Sequence, residues 1–338
     1  MSEYKKPPIM LLFFNRPDSL KVVFEWVRKM EPEELFLVQD GAREGNADDP
    51  QKLEECRKVV ENVDWDCKVY RNYSDINLTC DEREFSGISW CFEYVDRLII
   101  LEDDVLPADS FYGFCAELLE KHKDDERIQV ISGFNRVGKY TETPYDYLYS
   151  YSSAGIGWAT WKRVWDDVRT FKDLELLDDP SLVKYYESII SKYDFAPYRN
   201  IIGIARAVRN KDRAIGKVSS WEKLCGLSAI MQGRFNITPS VNMVKYIGIT
   251  EDATHCQSDA RLMTHKRRKV LTQPSYELSG ELKHPPYVVR DRIFEEKDRN
   301  SLKSSRILLR LESAFLKMRY GRVDLIKKAI SKRMKRKG

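Results

Sequence analysis

Short apolar runs recur through the first 135 residues, at Ile9–Phe14, Leu35–Val38, Leu98–Leu101 and Ile128–Ser132, with Lys68–Tyr70 as a weaker fifth. Runs this short and this continuous suit strands covered on both faces of a sheet. Between them the apolar spacing changes to a helical one. Leu20, Val23, Phe24 and Val27 form one stripe behind Pro17, and Leu53, Cys56, Val59 and Val60 form a second behind Pro50. Gly87 to Val95 and the residues from Pro107 to Leu118 read as two more helices. Strands alternating with helices predict an α/β fold: a mostly parallel sheet with helices on both faces.

In such sheets ligands bind outside the carboxyl ends of the strands. The polar residues that follow the apolar runs are therefore candidates. Asn15 and Arg16 follow the first run, Asp40 the second, and Glu102, Asp103 and Asp104 the fourth. Three adjacent acids either hold a cation with a phosphorylated ligand, or form a solvated strand-to-loop junction. No Gly-x-Gly-x-x-Gly follows the first run, and no phosphate-binding Gly-x-x-x-x-Gly-Lys-Ser/Thr is present.

Beyond residue 135 the pattern loosens. Glycines 155 and 157 lie among Tyr151, Trp158 and Trp161, which reads either as a sugar-sized pocket or as a tight turn with core aromatics. Ile237 to Val241 reads as a late strand, and 261–298 as a charged, proline-punctuated, extended run. The seven cysteines (56, 67, 80, 91, 115, 225 and 256) contain no C-x-x-C pair, which fits a reducing compartment rather than a zinc or disulfide framework. The start, Lys5 to Phe14, has an apolar part too short for a signal peptide and reads as a strand.

Taken in order, the segments FNRP at Phe14–Pro17, QDG at Gln39–Gly41, GISW at Gly87–Trp90, IILEDD at Ile99–Asp104, GIGW at Gly155–Trp158, and Pro239–Val244 through Glu251–His255 carry a resemblance. Together they resemble the bacterial GT-A-fold nucleotide-diphospho-sugar glycosyltransferases, family 2-like and distantly similar to N-acetylglucosaminyltransferase I. The similarity spans roughly residues 7 to 256. It implies a Rossmann-like GT-A domain over 1–260, with a nucleotide-binding part (1–135) and an acceptor part (136–260). It also implies a metal-dependent inverting transfer from a UDP-sugar to a glycan or lipid-linked acceptor hydroxyl. Under this resemblance Asp104 binds Mn2+ or Mg2+, Glu102 faces the donor sugar, and Asn15, Arg16, Asp40 and Asp103 serve the nucleotide. Asp103 alternatively only holds the turn. Gly157, Trp158 and Trp221 line the sugar and acceptor pocket. Glu222, where relatives have Asp after the Trp, becomes the catalytic base, with Asp166 and Asp167 as fallbacks. His255 closes a loop and either touches metal or diphosphate or is simply exposed.

Residues 301–338 carry 13 Lys and Arg against 2 Asp and Glu, leaving 44 basic against 51 acidic in the remainder. A basic tail on an acidic body points to an anionic surface, not to nucleic acid. Leu308, Leu311, Phe315 and Met318 fall at helical spacing, followed beyond Gly321 by Val323, Ile326, Ile330 and Met334. The tail reads as two basic amphipathic helices that dock on an anionic membrane surface; a helix packed on the body and a disordered end are the alternatives. The expected location is cytoplasmic, peripheral on the membrane's inner face. Two rival functions are a sugar-phosphate nucleotidyltransferase, disfavoured because Asn15–Asp18 is not a glycine-rich triphosphate loop, and a non-catalytic sugar-nucleotide-binding protein.

Overall fold

A computed structural model describes residues 4–152, 155–171, 175–193, 201–248, 262–303, 305–322 and 324. In the first part of the chain, strands and helices alternate: β1 (Ile9–Phe13), α1 (Pro17–Met30), β2 (Glu34–Gln39), α2 (Asp49–Glu61), β3 (Lys68–Tyr73), α3 (Cys80–Cys91) and β4 (Arg97–Glu102). Next come β5 (Val105–Pro107), α4 (Ser110–Lys121), β6 (Ile128–Ser132), β7 (Tyr147–Ser150) and β8 (Trp158–Trp161). The helices α5 (Lys162–Phe171), α6 (Pro180–Tyr193), α7 (Ile201–Ile215) and α8 (Trp221–Gln232) follow. The chain then forms β9 (Phe235–Pro239), β10 (Val244–Tyr246), α9 (His265–Leu271), α10 (Arg292–Leu302) and α11 (Arg306–Arg319).

Eight strands form one mixed sheet in the order β3-β2-β1-β4-β8-β6-β9-β7. The β3/β2, β2/β1, β1/β4 and β6/β9 pairs are parallel, whereas β8 runs antiparallel between β4 and β6, and β7 antiparallel to β9. The period of two along each strand sorts side chains onto two faces. Leu11, Phe13, Leu37, Ile99 and Leu101 pack with Val23, Phe24 and Val27 of α1, Cys56 of α2 and Phe114 of α4. Met10, Leu12, Phe36, Val38 and Ile100 pack with Ile88 of α3, Trp165 of α5 and Leu224 of α8. This two-sided burial is why the inner residues of the central strands, Leu35–Val38 and Leu98–Leu101 with all of β1, are apolar.

The register aligns the carboxyl ends. Leu12 pairs with Glu102, and Phe13 with Gln39. Arg16, Asp40 and Asp103 therefore leave the sheet at one level. A small antiparallel ribbon, β5 with β10, lies beyond β4 and pairs Val105 with Tyr246.

The stretch expected to be extended, 261–300, instead holds α9 and α10, with an irregular run between them. That run is fastened to the body. Glu277 accepts hydrogen bonds from the Asp109 and Ser110 amides (2.9 and 2.8 Å) and from the Ser110 hydroxyl (2.6 Å), capping α4. Arg136 pairs with Asp298 at 2.6 Å, and Arg290 with the buried Glu295 at 2.9 Å. On α11, Leu308, Leu311, Phe315 and Met318 are all more than half exposed. No helix among the described residues is long and apolar enough to cross a membrane. The second helix expected of the tail falls mostly outside the described residues.

Candidate active site

A cavity of about 340 Å³ opens at the carboxyl ends of β1, β2 and β4, lined by Arg16, Asp40, Arg83, Glu102, Asp103 and Asp104 among others. The three loops singled out from sequence thus meet in one space. Arg16 immediately precedes α1, whose first residue is Pro17, so the helix start fixes its backbone. Its guanidinium donates to Asp103 Oδ1 at 3.2 Å and to Asp104 Oδ2. Asp103 Oδ2 accepts from the Phe14 amide at 2.9 Å. Asp104 is 2 % exposed, and its Oδ1 is buried with no hydrogen-bond partner. The ribbon seals it: Ile247 N–H donates to the Asp104 carbonyl at 2.7 Å, and a Cβ on Gly248 would lie 2.1 Å from Asp104 Oδ2.

Burial and crowding shape the charges. Burial, then the charge of Asp104, push the Asp103 carboxyl up to about 7 against the pull of Arg16. Burial, then the charges of Glu84, Asp104 and Asp103, hold Glu102 well above the ordinary carboxyl range. Burial lowers the Arg16 pKa, but Asp103 and Asp104 more than reverse it, so the guanidinium stays charged.

Asp40 accepts from the amides of Gly41 (2.9 Å) and Leu78 (2.8 Å) and from Asn77 Nδ2 (3.0 Å). Burial raises its pKa and these backbone donors oppose the rise. It therefore both faces the cavity and ties two loops together. Asn15 does not line the cavity; its Nδ2 donates to Asp49 at 2.9 Å. Arg43 grips the same Asp49 at 2.7 Å and depresses its pKa.

A second cavity of about 760 Å³ adjoins the first, and Asp81, Glu102 and Tyr246 line both. It is lined by Glu84, Gly155, Trp221 and Glu222, and by Lys266, Arg267, Leu302 and Leu309 from the later helices, among others. Trp221 stacks on Trp158, with ring centroids 5.5 Å apart and planes at 18°. Trp158 itself lies in β8, buried behind the wall. Gly157, at φ +58, has no room for a Cβ, which would sit 2.8 Å from Val244 Cγ1. Its carbonyl accepts from the Gly133 amide at 2.7 Å, making it a joint between β8 and the ribbon. Glu222 is exposed on the first turn of α8, facing this cavity. Asp166 pairs with Lys162 and Arg169, and Asp167 with Arg234; none of these lines either cavity. His255 lies outside the described residues.

Glu84 was not singled out from the sequence. It is 7 % exposed and its Oε2 accepts from Trp221 Nε1 at 2.9 Å. Burial pushes its carboxyl up to about 8, opposed by the indole and aided by the charges of Glu222 and Asp81. A signal existed: Glu84 falls on the helical stripe Gly87, Ile88, Cys91, where an apolar residue is the default.

Among the described residues no group of three or more His, Cys, Asp or Glu could hold a metal ion. The orphaned Asp104 oxygen nevertheless fits a hard cation of the kind bound through one or two carboxylates, with phosphate oxygens and waters completing its shell. No preformed cage is required.

No protein-family model matches the chain, and no curated protein matches it. Among solved structures 81 chains match. One is the mannosyltransferase PcManGT from Pyrobaculum calidifontis in complex with GDP-Man and Mn2+, at 10% identity and a TM-score of 0.36, covering 68% of this chain and 70% of that one. With a TM-score this low, the functional reading rests on the residues of this chain.

Proposed function

We propose that the protein transfers a sugar, with inversion, from a UDP-sugar to a hydroxyl of a glycan or lipid-linked acceptor, in a reaction dependent on Mn2+ or Mg2+. One observation carries this reading: Arg16, Asp40 and the acids 102–104, drawn from three separate loops, line one cavity that also holds the unpartnered Asp104 oxygen. The adjoining larger cavity has an aromatic and acidic wall suited to a sugar.

Asp104 would hold the cation, which when bound supplies charge stabilisation for the departing diphosphate. In the free protein Arg16 neutralises Asp103 and Asp104. A diphosphate is a strong bidentate partner for a guanidinium, so the donor draws Arg16 away and frees the second Asp104 oxygen. Asp40 accepts from the nucleobase, Asp103 serves the nucleotide side, and Asn15 supports that loop through Asp49. Glu102, lining both cavities, faces the sugar. Glu222 takes the acceptor hydroxyl proton as the acceptor oxygen bonds to the anomeric carbon and the bond to diphosphate breaks. The exposed stripe of α11 and the basic residues after it support peripheral attachment to an anionic membrane on its cytoplasmic side.

The test is release of nucleoside diphosphate from a panel of nucleotide sugars with Mn2+, with and without EDTA. Metal-dependent release is expected, reduced by about 100-fold or more in Asp104→Ala. Turnover of every donor at an unchanged rate in Asp104→Ala overturns the assignment.

A further inference from the structure

Glu84 is costly where it stands. It occupies the buried stripe of α3, where leucine would pack without penalty. Its hydrogen-bond donor among the described residues is a neutral indole, and the ionisable groups facing it are Asp81, Glu102 and Glu222. Stability therefore does not account for it, and it lines a cavity. The indole it tethers is wedged between two others: Trp221 stacks on Trp158 and meets Trp165 at 5.7 Å and 60°. The hydrogen bond from its Nε1 to Glu84 holds the indole's polar edge in addition to these ring contacts.

The acid end of the larger cavity is also the end shared with the smaller one, through Asp81 and Glu102. A sugar attached to a diphosphate held by Arg16 would lie at that boundary. The basic residues that line this cavity are Arg136, which pairs with Asp298, and Lys266 and Arg267 of α9; the charges acting on Glu84 are those of Glu222 and Asp81.

We propose that Glu84 is a specificity-determining residue of the sugar pocket, fixing Trp221 as its wall and meeting a sugar hydroxyl with its other carboxyl oxygen, so that the pocket takes neutral sugars and rejects uronates. This deepens the glycosyl-transfer reading and rests on it. A hydroxyl can donate to or accept from a carboxyl, whereas a uronate brings a carboxylate beside Glu84, whose own ionisation burial and the neighbouring acids already oppose.

Calorimetric titration with Mn2+ present tests it, using UDP and two matched pairs: UDP-glucose with UDP-glucuronate, and UDP-galactose with UDP-galacturonate. At least one neutral donor is expected to bind about 10-fold or more tighter than its uronate. Glu84→Gln keeps an oxygen for the indole, so it retains neutral-sugar affinity within about 3-fold while its uronate discrimination shrinks. Glu84→Leu binds UDP normally but gains nothing from the sugar, and its melting temperature is equal to or above that of the parent. Equal affinity within both pairs overturns the proposal, as does full discrimination in Glu84→Leu. A lower melting temperature with parallel loss of UDP binding would reduce Glu84 to a packing role and overturn it too. Failure to bind UDP at all removes the glycosyl-transfer reading and this inference together; UDP binding without sugar discrimination removes only this one.

Discussion

Replacing Arg16 by Met tests the electrostatics of the site without any ligand. The Arg16, Asp103 and Asp104 side chains are 11, 8 and 3 % exposed, so the substitution leaves two buried carboxylates without their counter-ion. Removing one partner of a buried pair typically destabilises by about 3–5 kcal/mol, and that is the loss expected near neutral pH. The loss should shrink on acidification. Asp103 is already pushed from 3.8 to about 7 with Arg16 present, and without the guanidinium it rises further. A group whose folded pKa is raised contributes stability that is full below its unfolded value and is lost as pH rises through the folded value. Both proteins should therefore gain stability from Asp103 between about pH 8 and about pH 5, the variant more steeply, by up to about 1.4 kcal/mol per pH unit for each additional proton held. His122 pulls the other way. Burial holds it down at about 4, so its contribution is lost as pH falls from 6.5. That loss is common to both proteins, and only their difference is informative. Urea unfolding at several pH values measures it. A variant-minus-parent difference that is the same at about pH 5 and about pH 8 would refute the picture of carboxylates neutralised by Arg16.

Four further outcomes follow from particular contacts. Gly248→Ala puts a Cβ 2.1 Å from Asp104 Oδ2 and should abolish Mn2+-dependent diphosphate release while costing stability only about 1–3 kcal/mol, read by urea unfolding. Trp221→Phe removes the donor on Glu84 Oε2 and should destabilise by about 1–3 kcal/mol, with the deficit largest above about pH 8, where the indole stabilises the ionised carboxyl, and narrowing to a constant value as pH falls through about 8, read by urea unfolding. Glu277→Ala uncaps α4 and should cost about 1 kcal/mol with no change in nucleotide affinity by calorimetry. Leu311→Glu with Phe315→Glu should lower sedimentation with phosphatidylglycerol vesicles about 10-fold and leave diphosphate release from a soluble donor unchanged; unaltered sedimentation would remove α11 from the membrane reading.

The first half of the sheet was legible because each local signal agreed with the final arrangement. Ile9–Phe13, Leu35–Val38 and Leu98–Leu101 are buried on both faces, so their composition alone marked them as central strands, and their boundaries moved by one or two residues. The acids at 102–104 stood out because three carboxylates follow an apolar run directly, and all three line the cavity. What escaped depends on distant partners. β7 and β8 are four residues each and aromatic, β8 directly after Gly157, and nothing local says that β8 enters antiparallel between β4 and β6. Trp158 was expected in the pocket wall; it supports the wall from behind through Trp221. α9 and α10 escaped because their sequences are charged on most faces and draw their burial from a few residues, Val270 and Phe294. Glu84 escaped because its meaning lies in Trp221, 137 residues away.

The ribbon over Asp104 has a consequence for the order in which the chain matures. Asp104 emerges from synthesis well before Ile247, whose amide closes over its carbonyl, and Tyr246, whose ring lines both cavities. Until β10 pairs with β5, the Asp104 carbonyl lacks the Ile247 amide and the cavity lacks Tyr246 in its wall, which leaves the acids 102–104 more open to water. The repulsion develops as the last strand docks, when the cluster is dehydrated in one step. Conditions that weaken carboxylate repulsion, such as mild acid or a divalent cation, should therefore favour docking of the ribbon over these acids.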